Sequence, residues 1–327
     1  MPVLDDIAVV IPAYRAAASI GHVLRAIPAE VRWIVVVDDG VRDGLATAVQ
    51  AVGDPRIELV THDSNRGVGA AVLSGYNRAL ELGAAIIVKL DADGQMDPAA
   101  IGDVVEPVAA GEADYAKGNR FLHERELRKM PAARRYGNVG LSFFTKLATG
   151  YWPVFDPTNG YTAIHASVVG LLDDANIAQR YFFETSMLIE LSRVRAVVVD
   201  VYIPARYGGE ISSLRPARAA TEFPAPLLKA FFRRLWTQYF VRDFTPASLY
   251  IVAGVVGLVF GTIWGAWHWV ASIQSGVPAT TGTVMIAVLP IILGVQLLLQ
   301  AATLDIQGVP TRPIQTRTKP RGHPADA

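Results

Sequence analysis

Residues 85–95 read AIIVKLDADGQ. An apolar run of strand length, Ala85–Leu90, ends in two carboxylates two positions apart, Asp91 and Asp93, and then Gly94. A continuous apolar run bounded by turn residues is the pattern of a strand covered on both faces. Outward from it, Ile7–Ile11, Trp33–Val37 and Ile57–Val60 share its Val- and Ile-rich character. Ala17–Ile27, Gly44–Val52 and Gly69–Leu82 carry helical patterns between them, and strand-like Ala196–Val201 follows later. This alternation predicts an α/β domain built on a mainly parallel sheet. Polar clusters stand at three strand ends: Pro12-Ala13-Tyr14, Asp38-Asp39-Gly40 and Asp91-Ala92-Asp93-Gly94. Ligands of open α/β sheets bind beyond the carboxyl ends of the strands, so the three clusters predict one crevice.

The 327 residues hold 30 basic and 30 acidic side chains, a net charge of zero. That balance argues against a general nucleic-acid binder, which needs a basic surplus. Charged residues are 18% of the chain, below the ~25% of an average soluble domain. The deficit is local, because no Asp, Glu, Lys or Arg occurs from Phe244 to Leu304. The absence of cysteine excludes disulfides, Cys-ligated zinc, iron–sulfur clusters and thiol nucleophiles. Met1–Asp6 lacks the basic start of a secretory signal, so the polar part of the chain is expected in the cytoplasm.

The charge-free block divides into two spans, Ala247–Trp269 and Thr283–Leu304, each long enough at ~1.5 Å per residue to cross a ~30 Å hydrocarbon layer. Trp264, Trp267 and Trp269 read as an interfacial aromatic belt. Gln296 and Gln300, four apart, are expected to face the partner helix or another subunit, and self-association through the spans is left open. Before the spans, Leu228, Phe231, Phe232, Leu235 and Tyr239 recur at helical spacing with Lys229, Arg233 and Arg234 among them, the pattern of an amphipathic helix lying on an anionic bilayer. Basic residues flank the pair (Arg233, Arg234 and Arg242 before; Arg312, Arg317, Lys319 and Arg321 after) and are missing from the loop, which predicts a multi-pass inner-membrane protein with both termini cytoplasmic. The expected division is 1–215, a catalytic domain; 216–243, linker and interfacial helix; 244–306, the two spans; and 307–327, a disordered basic tail.

Asp91 and Asp93 at a strand end can share a hard divalent cation, Mg²⁺ or Mn²⁺, through oxygen ligands. A lone Asp-x-Asp is more often a solvated turn; its position and the two companion clusters give it weight here. Asp38-Asp39 can accept hydrogen bonds from a base or a ribose. Asn65-Arg66-Gly67-Val68-Gly69 does not complete GxGxxG, because position 72 is valine, and no GxxxxGK[ST] occurs. NAD enzymes and P-loop nucleotidases are thereby disfavoured.

The ordered set Val10-Ile11-Pro12-Ala13-Tyr14, Val37-Asp38-Asp39-Gly40, Asn65-x-Gly67-x-Gly69, Asp91-Ala92-Asp93-Gly94-Gln95, Gly118-Asn119-Arg120 and Asp156-Pro157-Thr158-Asn159-Gly160-Tyr161 resembles family 2 glycosyltransferases of the GT-A fold. Within them the chain looks most like the polyprenyl-phosphate, or dolichyl-phosphate mannose synthase, type over about residues 7–215, and the two-span anchor resembles its bacterial members. The resemblance implies a UDP- or GDP-linked sugar donor held by Pro12, Ala13, Tyr14, Asp38, Asp39, Gly67, Asp91, Ala92 and Asp93. It implies Asp91, Asp93 and Gln95 as the metal and diphosphate site, and Arg120, Arg134 and Asn138 near the donor and acceptor phosphates. Asp156 matches an acidic residue near the transferred sugar, and Glu184 one lining the same cleft. Asp156, Asp93, Arg120 and Arg134 are thus the implied catalytic set, with Arg206 in the shortened loop 204–213 as a further acceptor-phosphate contact. Arg15-Ala16 stands where the family carries Asn-Glu, and Val41 where it commonly has Ser. The expected activity is inverting transfer of one sugar to a membrane polyprenyl phosphate. The alternatives are another glycolipid or a polysaccharide acceptor, or a catalytically inactive membrane-anchored binding protein.

Overall fold

The computed structural model describes residues 6–41, 43–120, 132–204 and 222–317, with the backbone alone for helix residues 132–136 and 138. It divides into two compact units, residues 1–230 with 310–327, and residues 231–309.

The first unit is built on a seven-stranded sheet of order β3-β2-β1-β4-β6-β5-β7. The strands are β1 (Ile7–Ala13), β2 (Trp33–Asp38), β3 (Ile57–Thr61), β4 (Ile86–Lys89), β5 (Tyr115–Asn119), β6 (Thr162–His165) and β7 (Val198–Tyr202). The first four pair in parallel as their apolar runs predict. The sheet is mainly parallel as expected, with β6 lying antiparallel between β4 and β5.

Side chains alternate across each strand. Ile7, Val9 and Ile11 of β1 enter one core with Ile20, Val23 and Leu24 of α1 (Ile20–Ala26), Leu45 and Val49 of α2 (Leu45–Gln50), and Ile101, Val104 and Val108 of α4 (Ile101–Ala109). Val10, on the opposite face, meets α3 (Val68–Glu81) at Gly75, where a Cβ would overlap it. Burial on both faces explains why β1 and β2 read as unbroken apolar runs.

After β5 come α5 (Ala132–Thr149), the short α6 (Ala166–Val169) and α7 (Phe183–Val194). Helix α8 (Pro224–Trp236) begins in this unit, with Phe223, Leu227 and Ala230 packed against Ala148 of α5. The expected boundary at 215 therefore falls short of where the compact unit ends.

The second unit contains the remainder of α8, a π-helical turn Thr237–Val241, and helices α9 (Pro246–Ser275) and α10 (Thr281–Gln307). Both long helices outrun the spans read from the sequence, and the loop between them shrinks to 276–280. The helices approach closely: a Cβ on Gly254 would lie 3.0 Å from the Gly294 carbonyl oxygen, and one on Gly257 2.8 Å from that of Pro290. Small residues are what such close helix packing requires in lipid. Gln296 and Gln300 are exposed within the hairpin.

Arg234 does not join Lys229 and Arg233 on the surface of α8. Its guanidinium grips Asp305 bidentately at 2.6 and 3.1 Å, and Tyr239 OH donates to the same carboxylate at 2.5 Å. Leu228, Phe232 and Trp236, at i, i+4 and i+8, remain exposed.

The tail differs from its expectation. Residues 310–317 belong to the first unit, where α11 (Ile314–Arg317) docks on Asp114. The fully buried Asp114 carboxylate accepts the N–H groups of Val197 (2.8 Å), Ile314 (2.9 Å) and Gln315 (3.2 Å). Gln315 Nε2 donates to the carbonyls of Val108 and Ala113. Residues 318–327 lie outside the described residues.

Candidate active site

The parallel strands end on one side of the sheet, and the polar clusters gather there. At the end of β1, Ala13 is buried and its carbonyl accepts the Asp39 N–H at 3.0 Å. Pro12 is half-buried, and Tyr14 is 49% exposed with the Arg15 guanidinium 5.3 Å from its ring centre. At the end of β2, Asp38 accepts the Val41 N–H at 3.3 Å. Asp39 is almost fully buried and turned to the interior: it accepts the N–H groups of Arg66 and Gly67, both at 2.8 Å, and pairs with His62 Nδ1 at 2.9 Å. His62 Nε2 in turn lies 2.9 Å from Ser74 Oγ. Asp39 thus organises the 65–67 loop. Gly67, at φ +96°, packs where a Cβ would strike the Gln179 carbonyl, a position only glycine fills without strain.

At the end of β4, Asp93 is exposed and its Oδ1 accepts the Gln95 N–H at 2.9 Å. Ala92 is buried, its carbonyl held by Ser19 Oγ at 2.7 Å. Asp91 is tied to a residue that motif reading passed over: Lys89 Nζ donates to Asp91 Oδ1 at 2.7 Å and lies 3.5 Å from Glu184 Oε1. Glu184 comes from the first turn of α7. Burial alone would lower the Lys89 ammonium, but Asp91 and Glu184 outweigh it and hold the lysine charged. Burial raises Glu184 above the usual carboxylate range, and Lys89 opposes that shift. Gly160 fits this cluster because a Cβ there would overlap Lys89 Nζ and stand 3.2 Å from Asp91 Oδ2.

A second ion pair lies beyond β5. Arg120 Nε and Nη2 meet the two oxygens of Asp156 at 2.9 and 3.1 Å. Asp156 is 1% exposed and has φ +51°, a left-handed backbone uncommon outside glycine, asparagine and aspartate. Buried Lys117 donates to the carbonyls of Phe155 and Asp156, and Asp200 accepts the Phe155 N–H at 2.7 Å.

The described residues therefore bring together the strand-end groups of β1, β2 and β4 with Gly160 and Glu184, and pair Arg120 with Asp156. Arg134 and Asn138 fall on α5 with their side chains outside the described residues, as does Arg206 entirely. Sequence reasoning missed Lys89, Lys117, Asp200 and His62. Lys89 and Asp200 carried a signal, a charge inside a short apolar strand; Lys117 and His62 carried none.

The model of the family described as glycosyl transferase family 2 matches residues 8–171. The chain is 30% identical over 241 residues to the UDP-N-acetylglucosamine–dolichyl-phosphate N-acetylglucosaminyltransferase of Methanococcus voltae, covering 69% of this chain and 93% of that protein. It is 27% identical over 201 residues to the undecaprenyl-phosphate mannosyltransferase of Micrococcus luteus, covering 59% and 81%. Among solved structures, glucosyl-3-phosphoglycerate synthase from Mycobacterium tuberculosis superposes with a TM-score of 0.51 at 20% identity, covering 70% of this chain and 79% of that one, a likeness of fold.

Proposed function

The chain belongs to glycosyl transferase family 2, and from that premise we propose that it transfers one sugar from a nucleoside-diphosphate donor to the phosphate of a membrane polyprenyl phosphate, with inversion at the anomeric carbon. One observation carries the reading: the polar clusters of three strand ends, with the carboxylates Asp38, Asp91 and Asp93 on two of them, lie on one side of the sheet in a chain that also carries two helices of 30 and 27 residues, long and apolar enough to cross a membrane. A donor site tied to the bilayer suits an acceptor that lives there. The names of the two relatives, both transferases to a lipid phosphate, support the same acceptor class.

The acceptor chemistry fits the groups present. A phosphate monoester has its second pKa near ~6, so at neutral pH it is largely dianionic and already nucleophilic. A strong general base is unnecessary, and what the protein must supply is positioning and compensation of negative charge. In this reading Arg120 contributes a guanidinium at the phosphates and Asp156 orients it. Tyr14 and Asp38 border the nucleoside, while Asp39 shapes the neighbouring loop.

The donor set also fits a hard divalent cation. Asp91 and Asp93 supply carboxylate oxygens two residues apart, with the exposed Gln95 beside them. Among the described residues no group of three or more His, Cys, Asp or Glu forms a closed metal cage. Two carboxylates suit Mg²⁺ or Mn²⁺, which keep waters and share substrate phosphates. Such an ion, when bound, would neutralise charge on the leaving nucleoside diphosphate.

The chain leaves its first unit at Ala230 and rejoins it at Pro310. Two crossings in between return it to the same side, which supports a hairpin anchor with both chain ends on the face of the catalytic unit. Leu228, Phe232 and Trp236 would enter the interfacial layer, with Lys229 and Arg233 at the headgroups. Gln296 and Gln300 offer carboxamides to a second copy of the chain, a pairing that lipid cannot provide.

The deciding experiment gives the detergent-purified chain undecaprenyl or dolichyl phosphate, Mg²⁺ or Mn²⁺, and a panel of labelled UDP- and GDP-sugars. A labelled, acid-labile lipid that disappears with EDTA is the expected result. No labelled lipid from any donor would overturn the activity, and EDTA-insensitive transfer would remove the metal.

A further inference from the structure

Lys117 of β5 and Asp200 of β7 stand opposite one another in the parallel register, and Asn119, two residues on, shares their face of the sheet. Lys117 and Asp200 point their polar groups at one short turn, and Asn119 braces Asp200. Lys117 Nζ donates to Phe155 O at 3.1 Å and to Asp156 O. Asp200 Oδ2 accepts the Phe155 N–H at 2.7 Å and Asn119 Nδ2 at 2.7 Å. Three successive peptide units are therefore held from both polarities: a carboxylate on the Phe155 N–H, a cation on the carbonyls of Phe155 and Asp156. The residue so held, Asp156, has the left-handed backbone and carries the bidentate pair to Arg120.

A non-glycine residue keeps such a backbone only where its surroundings over-determine it. Burial is the other half of the argument. Lys117 is 1% exposed, and its ammonium is costly to keep there. Burial lowers its pKa, against the pull of Asp156 and Asp200. Asp200 is raised by burial in its turn, and its Oδ1 has no hydrogen-bond partner among the described residues. A hydrophobic pair at these register positions would satisfy the sheet without either penalty. The remaining use for the two charges is the turn they hold.

We propose that Lys117 and Asp200 are positioning residues that impose the left-handed turn at Asp156 and thereby aim the Asp156–Arg120 pair at the reacting phosphates. The role in turnover rests on the activity proposed above; the hold on the turn does not. Neither residue belongs to the motifs that mark the family resemblance.

The test uses the full chain in detergent with the donor that the wild type accepts. Lys117→Met and Asp200→Ala are expected to lower kcat at least 30-fold while the donor KM changes less than threefold. Asp200→Asn keeps an oxygen acceptor for the Phe155 N–H and is expected to retain most of the activity; a pair needed only for its charge would lose as much as with alanine. Lys117→Met added to Asp156→Asn should cost nothing beyond Asp156→Asn alone, since both act through one group. Independent multiplication of the two losses, or wild-type kcat in Lys117→Met, would overturn the proposal. Hydrogen exchange of a peptide covering 153–160 reads the turn without turnover: exchange at Phe155 and Asn159 should accelerate in Lys117→Met and Asp200→Ala, and unchanged exchange overturns the positioning role. A wild type with no transferase activity but with accelerated exchange in these variants would discard the activity and leave the hold on the turn standing.

Discussion

Lys89 Nζ, sealed in the sheet with 2% of its side chain exposed, donates to Asp91 Oδ1 at 2.7 Å. The first carboxylate of the Asp-x-Asp pair is thus oriented by a cation two residues upstream. Lys89→Met leaves Asp91 and Glu184 facing each other without that cation. Removing one member of a buried pair costs on the order of 3 kcal/mol. The expected outcome is a clear fall in thermal midpoint together with weaker binding of nucleoside diphosphate, followed by calorimetry. Glu184→Gln added to Lys89→Met should recover part of the stability. No recovery would mean that Glu184 is not held by Lys89.

Gly160 reports on the same cluster from the opposite wall. Its substitution by alanine sets a methyl group against Lys89 Nζ and near Asp91 Oδ2 and Glu184 Oε1. Overpacking of this kind costs about 1–3 kcal/mol. Gly160→Ala is expected to be destabilised by that amount and to lose donor affinity, because Lys89 must leave Asp91. Gly102→Ala, on α4 with open space around its position, serves as the control that should do neither.

Asp114 fastens the segment that follows α10 to the first unit. Asp114→Ala leaves three backbone N–H groups without their acceptor. Buried donors left unsatisfied cost about 1–3 kcal/mol each. The variant should unfold at lower temperature, and limited proteolysis should cut within 310–317 before the rest of the chain. A tail as protected as in the wild type would show that docking does not depend on this carboxylate.

Gln296 and Gln300 are exposed in the second half of α10, and in the proposed span lipid would offer them no hydrogen-bond partner. Gln296→Leu with Gln300→Leu should shift the detergent-solubilised chain toward monomer in light scattering, with the thermal midpoint unchanged or raised. If the mass distribution is the same in both proteins, the glutamines do not mediate self-association.

Much of this molecule was legible from local pattern. Strands β1, β2 and β4 are covered on both faces, so each wrote itself as a mainly apolar run; the half-buried edge strand β3 was read from its Ile, Leu and Val alone. The carboxylates that end β2 and β4 were readable because a strand end is a local event. The two long helices were readable because length and the absence of charge are one-dimensional. The antiparallel β6 was not, because Thr162–His165 is only four residues long and its direction is set by which strands it lies between.

What the amino-acid order determined by itself was the α/β class, the ordered motifs and the two long apolar helices, each the product of neighbours in the chain. What the tertiary structure decided was which charges work on which groups. Asp39 sits beside Asp38 in the chain, yet it faces the 65–67 loop and His62. Arg234 looked like a surface cation and is bonded to Asp305, 71 residues away. Lys89 and Lys117 were passed over in the sequence, and only the folded sheet brings Glu184 to the first and the Phe155–Asp156 turn to the second. A buried charge is tolerated through partners brought from distant parts of the chain, and its purpose becomes readable once those partners are in place.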